Sequence, residues 1–228
     1  RIEARAQRLR SIDQWQPLEA ELARTQGIVD VSPMVTGPGF AVRGDARKSI
    51  AIIGIDPVRY SRIVAIGDKL VGGEFRVQAG EAVLGRDLAQ DLGIGIGDRV
   101  RLVTTENDVI TGDTFTVTGI VDLGVRDLNR RTVYVGLRTA QSLLSLPGGV
   151  SQLDLTVAEL FDAEQIAQRL AARTGLTVES WMLSIVQRRP ASYAHAVTPC
   201  PFPPFVRAIV ELGVASVLVV SVVQKRRE

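Results

Sequence analysis

Residues 81–102 read Glu81-Ala-Val-Leu-Gly85-Arg-Asp-Leu-Ala-Gln-Asp-Leu92-Gly-Ile-Gly-Ile-Gly97-Asp-Arg-Val-Arg-Leu102. Glu81–Gly85 suits a strand, 86–92 a short helix, and the glycine run 93–97 a turn that opens the next strand. Leu84, Leu88 and Leu92 fall on one face, the side a core would cover. From Asp98 to Val103 polar and apolar residues alternate, as they do in a half-buried strand. Strand, helix and strand in so few residues mark a small β-rich module, a form shared by double-psi barrels and swapped-hairpin DNA-binding domains.

Working outward, further strands fit at 114–121 and 131–136 and a second short helix at 138–146. Together these make a mostly β subdomain over 73–147. Its flanks have a different character. Surface helices fit at 17–25 and 162–174, each followed by a strand, 27–35 and 175–181. In the second helix Ala163, Ile166, Ala167, Leu170 and Ala171 form one stripe, with Asp162 as N-cap and Gly175 as the stop. An overlay at an offset of 148 aligns Leu22 with Leu170, Ala23 with Ala171, Gly27 with Gly175 and Ser32 with Ser180. The shared order of helix, glycine and strand makes these two halves of one α/β subdomain, 1–72 and 148–184. Strands at 47–55 and 150–158 complete it. The fold class expected is α+β: a split α/β subdomain with a mostly β subdomain inserted.

Charge is concentrated at the ends. The chain of 228 residues carries +2 overall, yet residues 1–10 hold +3 and 224–228 hold +2, leaving 11–223 at −3. So small an excess argues against a nucleic-acid partner. One His and one Cys exclude an internal disulfide framework and a zinc or iron–sulfur site built from such ligands. His195 and Cys200 both lie in the stretch 185–205, where Pro190, Pro199, Pro201, Pro203 and Pro204 rule out a regular helix. They read as linker residues. The Gly93–Gly97 run lacks phosphate-loop spacing and leads into a strand, so it offers no helix N-terminus to a phosphate. Glu106, Asp122 and Asp127 are scattered over expected turns, and Trp15 and Trp181 read as packing residues. No motif supports an enzyme, and no cofactor is expected.

The remaining signal is at the back. Residues 206–223 are Val-rich and hold no charge after Glu211, and Arg207 and Glu211, at i and i+4, can neutralise each other on a helix. Lys225, Arg226 and Arg227 follow directly, a basic flank of the kind retained in the cytoplasm. The reading is one transmembrane helix over 206–223 in a lipid bilayer, with residues 1–204 extracytoplasmic. The competing reading is a buried β segment, which the valines also suit.

The neighbours of 81–102 add a family resemblance. Ala51-Ile-Ile-Gly-Ile-Asp-Pro57 precedes it; Phe115-Thr-Val-Thr-Gly-Ile-Val121, Thr132-Val-Tyr-Val-Gly-Leu137 and Thr139-Ala-Gln-Ser-Leu-Leu144 follow. In this order the chain resembles the extracytoplasmic core domain of ABC-transporter permeases of the MacB, LolC/LolE and FtsX type. The stretch from Leu212 to Glu228 resembles the second membrane helix of that family and the basic turn after it. The resemblance covers 27–181 and 206–228 and departs at 185–205, where the family carries a stalk helix.

The resemblance implies a permease subunit of the bacterial inner membrane, working as a homodimer or heterodimer with a separate cytoplasmic ABC ATPase subunit. The extracytoplasmic domain then docks substrate and transmits motion, with a lipoprotein or a periplasmic adaptor as partner. Lys225, Arg226 and Arg227 become candidates for topology and ATPase coupling, and no substrate-binding residue is singled out. The rival is a soluble β-barrel-like binding module with no transport role.

Overall fold

The computed structural model describes residues 11–12, 14–106, 109–159, 162–174, 177–179 and 220–223. The chain opens with helix α1 (Trp15–Ala23) and two long antiparallel strands, β1 (Ile28–Arg43) and β2 (Ala46–Ile55). Their register runs from Met34 opposite Ile55 to Arg43 opposite Ala46, and Gly44 turns the corner at φ 55°. A side chain at that φ would be strained, so glycine suits the tight link. Helix α2 (Pro57–Ile63) begins at Asp56, whose carboxylate accepts from the N–H groups of Val58 and Arg59 at 3.0 and 3.2 Å. Pro57 at the first helical position gives up no bond there.

A 3-10 turn (Ile66–Lys69) and strand β3 (Leu70–Gly73) lead to β4 (Glu81–Gly85), α3 (Arg86–Leu92), β5 (Arg99–Glu106) and β6 (Val109–Val121). Then come α4 (Arg126–Arg131), β7 (Thr132–Gly136), α5 (Leu137–Leu143), β8 (Gln152–Val157), α6 (Ala163–Thr174), β9 (Thr177–Glu179) and β10 (Val220–Val223).

Strand order decides the architecture. The path β2-β7-β4-β6-β5-β1 closes on itself because β1 also pairs with β2. Closure removes most of the free edges that an open sheet leaves. Within this barrel β2 runs parallel to β7, and β4 parallel to β6. The second half of β1 and all of β2 come from the stretch 1–72, the other four strands from 73–147. The first half of β1 leaves the barrel and pairs with β8, from Ile28 opposite Val157 to Met34 opposite Gln152. That sheet continues through β10 to β9. One strand thus belongs to both regions.

Alternation along the strands sorts the core into two faces. Ile50, Ile52, Ala82, Leu84, Val133 and Val135 join the main cluster with Leu102, Phe115, Leu153 and Leu155, closed over by α1, α3, α5 and α6. The intervening residues Ile55, Val83 and Tyr134 form a smaller cluster with Tyr60, Ile66, Val77 and Val121. Helix α5 lies so close to β2 that a Cβ on Gly54 would sit 2.1 Å from that of Ala140.

The strands at 81–85 and 47–55 and the helix at 86–92 lie where the sequence puts them, to within a residue. Helices α2 and α4 and strand β3 have no counterpart among the expected elements, and three of the expected elements differ in extent or kind. Strand β1 continues through Gly37-Pro38-Gly39 instead of stopping at Val35: Pro38 pairs with Ala51, and a Cβ on Gly39 would stand 3.0 Å from the Val103 carbonyl of β5. What reads as a breaker is a place where two strands approach closely. Strand β6 starts at Val109, earlier than the expected 114. Residues 206–223 are expected as a membrane helix, but their described part, Val220–Val223, is strand β10 between β8 and β9. Valine favours the extended chain, and the β8 edge offers unpaired backbone groups. Among the described residues no helix is long and apolar enough to cross a membrane.

Candidate functional site

Lys225, Arg226 and Arg227 lie outside the described residues, as do His195, Cys200 and Trp181. Trp15 packs against the main core and donates from Nε1 to the Gly148 carbonyl at 3.0 Å. The glycine run is a turn: Gly93 caps α3 in the left-handed region, and the Asp98 carboxylate accepts from the Gly95 N–H at 2.9 Å and from Arg43 at 3.1 Å.

Asp122 proves to be the centre of a network, not a scattered turn residue. It accepts from the Asn129 amide at 2.7 Å and the Gly124 N–H at 2.9 Å, and it pairs with Arg86. Asn129 in turn accepts from the Leu123 N–H at 2.7 Å. The Asn129 hydrogen bond, with help from Gly124 and Arg86, holds the Asp122 carboxyl below its ordinary range. This network ties α4 to the β4–α3 junction, where Gly85 abuts the Asn129 backbone. Beside it a groove of about 500 Å³ is lined by Val71, Ile94, Ile96, Ile120 and Arg86. Arg86 is engaged by Asp122, so the groove offers no spare cation to an anionic ligand.

The element best placed to meet another protein is the β5–β6 hairpin. Its two strands pair along their whole length, from Arg99 opposite Thr116 to Glu106 opposite Val109. Strand β1 covers β5 only at Arg101–Val103, and β4 covers β6 only from Thr116 onward. Among the described pairings, Thr104–Glu106 and Val109–Phe115 therefore have no neighbour on their outer edges. The arm is rooted firmly. Phe115 is buried at its base, and the Thr104 hydroxyl donates to the Leu143 carbonyl at 2.6 Å. Beyond the root, residues 110–114 are exposed, and Ile110 is 70% exposed.

This exposed length, Ile-Thr-Gly-Asp-Thr, holds β-branched residues and neither lysine nor proline, the usual guards of a strand edge. Such an edge can accept a partner's strand through main-chain hydrogen bonds, with Ile110 as an apolar contact. The strand expected from the sequence begins only at 114, with Glu106 in a turn before it. The available signal was Asn107-Asp108, a two-residue turn pair, with β-branched residues on either side.

Chemistry of other kinds finds little support. No cluster of three or more His, Cys, Asp or Glu residues suited to a metal occurs among the described residues. The Tyr60 and Tyr134 hydroxyls lie 3.5 Å apart in the smaller core, and burial pushes both phenols up, away from ionisation. They are packing groups with a shared hydrogen bond.

Comparison with known proteins bears on the family and the fold. LolC, the lipoprotein-releasing system transmembrane protein of Neisseria meningitidis serogroup B, is 27% identical over 182 residues, covering 75% of this chain and 44% of that protein. An uncharacterized ABC transporter permease of Mycobacterium tuberculosis is 28% identical over 156 residues, covering 65% of this chain and 18% of that protein. The chain thus spans less than half the length of these curated relatives. In fold it matches the periplasmic region of MacB from Actinobacillus actinomycetemcomitans, with a TM-score of 0.52 at 17% identity over 75% of this chain and 78% of that one. The extracellular domain of the ABC-type transporter YknZ from Gram-positive bacteria gives 0.52 at 13% identity, over 72% and 85%. The model of the MacB-like periplasmic core domain matches residues 3–173, and the chain belongs to that family of ABC-permease domains.

Proposed function

We propose that this chain is the extracytoplasmic domain and second membrane helix of a MacB/Lol-type permease subunit in the bacterial inner membrane. The reading divides it into the α/β halves 1–72 and 148–184, the inserted lobe 73–147, the linker 185–205, the span 206–223 and the cytoplasmic flank 224–228. A separate cytoplasmic ABC ATPase drives a dimer of such subunits. The domain carries that motion to a docked lipoprotein or periplasmic adaptor, in lipoprotein release or export, and Lys225, Arg226 and Arg227 anchor the topology and couple to the ATPase.

The observation that supports a mechanical role is β1. Its 16 residues run from the open sheet into the barrel without a break, so displacement of one region is passed to the other through a continuous ladder. The β5–β6 arm, paired to β1 through Arg101–Val103, is the docking element at the far end of that path. A Val-rich run can satisfy its backbone in a strand ladder or as a helix in hydrocarbon, so the span reading takes β10 out of the sheet once a bilayer is present.

The test uses the complete permease in sealed membranes, with any other cysteines removed. An impermeant thiol reagent added outside is expected to label Cys200. Replacing Lys225, Arg226 and Arg227 by Gln is expected to lower substrate-stimulated ATP turnover. Labelling only after the membrane is opened would invert the topology and end the reading. The rival, a soluble binding module, draws support from barrel closure and from β10 itself. Recovery of the whole chain in the soluble fraction without detergent would favour it.

A further inference from the structure

Two neighbouring rows of side chains cross the outside of the barrel at the root of the arm. Arg47, Val42, Arg101 and Thr114 form one row, across β2, β1, β5 and β6, and Ser49, Phe40, Val103 and Gly112 form the next. Residues opposite one another in a ladder point to the same side of the sheet, so both rows share one face. Ala41 and Leu102, which alternate with them, are buried inside the barrel, so this face is the outer one.

On it the Arg47 guanidinium stands over the Phe40 ring, 3.7 Å from the centroid. Arg101 is related to Gly112 as Arg47 is to Phe40: from the first row to the second, one strand across. Its side chain takes the same course, with Nε 3.5 Å from the position a Gly112 Cβ would occupy. Here no ring lies beneath the cation. The Leu102 carbonyl and Val103 Cγ2, 3.0 and 3.1 Å from that Cβ position, crowd any side chain built on residue 112. Arg101 has no ion pair among the described residues.

The backbone of the same residues faces the open edge. Alternate residues of a strand direct their N–H and C=O groups to opposite sides. Val117 bonds with Gly97 and Asp98 on the β5 side, whereas the Thr116 N–H turns the other way, to the Gly80 carbonyl at 2.8 Å. The register is unbroken from 116 to 109, so Thr114, Gly112 and Ile110 turn outward like Thr116. Accordingly the Thr114 N–H meets no strand and donates to the Asp113 carboxylate at 2.7 Å.

We infer that this edge of β6 takes an antiparallel strand of a partner protein that carries an aromatic residue opposite Gly112. The two residues exchange main-chain hydrogen bonds, and the ring covers the bare glycine beneath the Arg101 guanidinium, as the Phe40 ring lies beneath Arg47. Covering a strand glycine with a cross-strand ring is favourable in its own right. Ile110 meets an apolar side chain two places along the same strand. The inference rests on the docking role proposed for the arm and names the chemistry that the arm selects.

The probe is a capped, fluorescein-labelled peptide, Thr-Val-Thr-Phe-Thr-Val-Thr, beside a second in which isoleucine replaces phenylalanine. Both favour the extended chain, so the ring is the main difference between them. Each is titrated into the full chain in detergent and followed by fluorescence anisotropy. The phenylalanine peptide is expected to bind about two- to fivefold more tightly, the range of one exposed cation–π contact. That preference should vanish in Arg101→Gln and in Gly112→Ala, where a methyl group intrudes on the seat of the ring. Equal binding of the two peptides overturns the inference, as does a preference that survives Arg101→Gln, or no binding of either peptide. Capture of a lipoprotein by the assembled permease carrying Ile110→Asp is scored separately. Reduced capture with equal peptide binding keeps the docking role and removes the aromatic seat. Unchanged capture removes the docking role, and the peptide preference still decides the seat.

Discussion

The barrel and the open sheet share β1 but solve the problem of strand edges in opposite ways. In the barrel six strands close a circuit, so each has neighbours supplied from within 34–136. The open sheet gathers its strands from across the chain, with β10, at Val220–Val223, seated between β8 and β9. Local closure makes one region self-sufficient, and borrowed strands make the other responsive to what the rest of the chain is doing.

If that contrast is right, the barrel core should be the more costly place to cut. Phe115→Ala removes a buried ring at the root of the arm and is expected to fall high in the range of about 3–5 kcal/mol, against the lower part of a range of about 2–5 kcal/mol for Leu170→Ala under the open sheet. Urea midpoints of the two variants check this, and the reverse order would break the comparison. Next in size is Gly54→Val. Its Cβ would meet Ala140 at 2.1 Å, so helix α5 must lift from β2, at a cost of about 1–3 kcal/mol. Asp56→Ala removes the α2 cap and should cost about 1 kcal/mol by the same measurement.

Acid should pull the two regions in opposite directions. Asp122, on the barrel, has its pKa lowered by Asn129, Gly124 and Arg86. Its stabilisation is present above the ordinary carboxylate range and is lost as pH falls through the lowered value. Glu19, on α1, has its pKa raised, chiefly by burial and against the pull of Arg59. Protonation there favours the folded form, so stability is gained as pH falls through the raised value. Asp122→Asn should therefore flatten the acid loss in a plot of thermal midpoint against pH, whereas Glu19→Gln should make the midpoint fall more steeply. Parallel profiles for both variants would contradict the assignment. The smallest effect on folding belongs to the arm. Ile110→Asp should change stability by no more than about 0.5 kcal/mol, and under the proposed docking role it should reduce capture of a lipoprotein or adaptor by the assembled permease.

Much of this fold is legible where local pattern and packing agree. The alternation at 99–102 reappears in β5, and Leu88 and Leu92 lie on the buried side of α3, with Leu84 buried in β4 just before it. The sequence is least informative where a residue's role depends on a distant neighbour. Gly39 resembles a breaker until the Val103 carbonyl is seen approaching it, and Asp122 resembles a loop acid until Asn129 and Arg86 are placed around it. The arm escapes pattern reading for another reason: beyond residue 104 its apolar residues, Val109 and Ile110, are adjacent in sequence among polar ones, so no hydrophobic period marks the strands. Val220–Val223 satisfies two rules at once, apolar enough for lipid and β-branched enough for a sheet.

Strand β1 also sets an order on folding. Its Met34–Arg43 portion can zip to β2 across a tight turn as soon as residue 55 has emerged, a local event of the kind that takes microseconds. Its Ile28–Met34 portion must wait for residues 152–157. During synthesis at roughly 5–20 residues per second, that delay lasts several seconds. Through that interval Val31, which pairs with Leu155 of β8 in the finished fold, has no covering strand, and the nascent domain is open to mispairing or to a chaperone. The half of β1 that later shares its ladder with β8 is the last part of the strand to find its place.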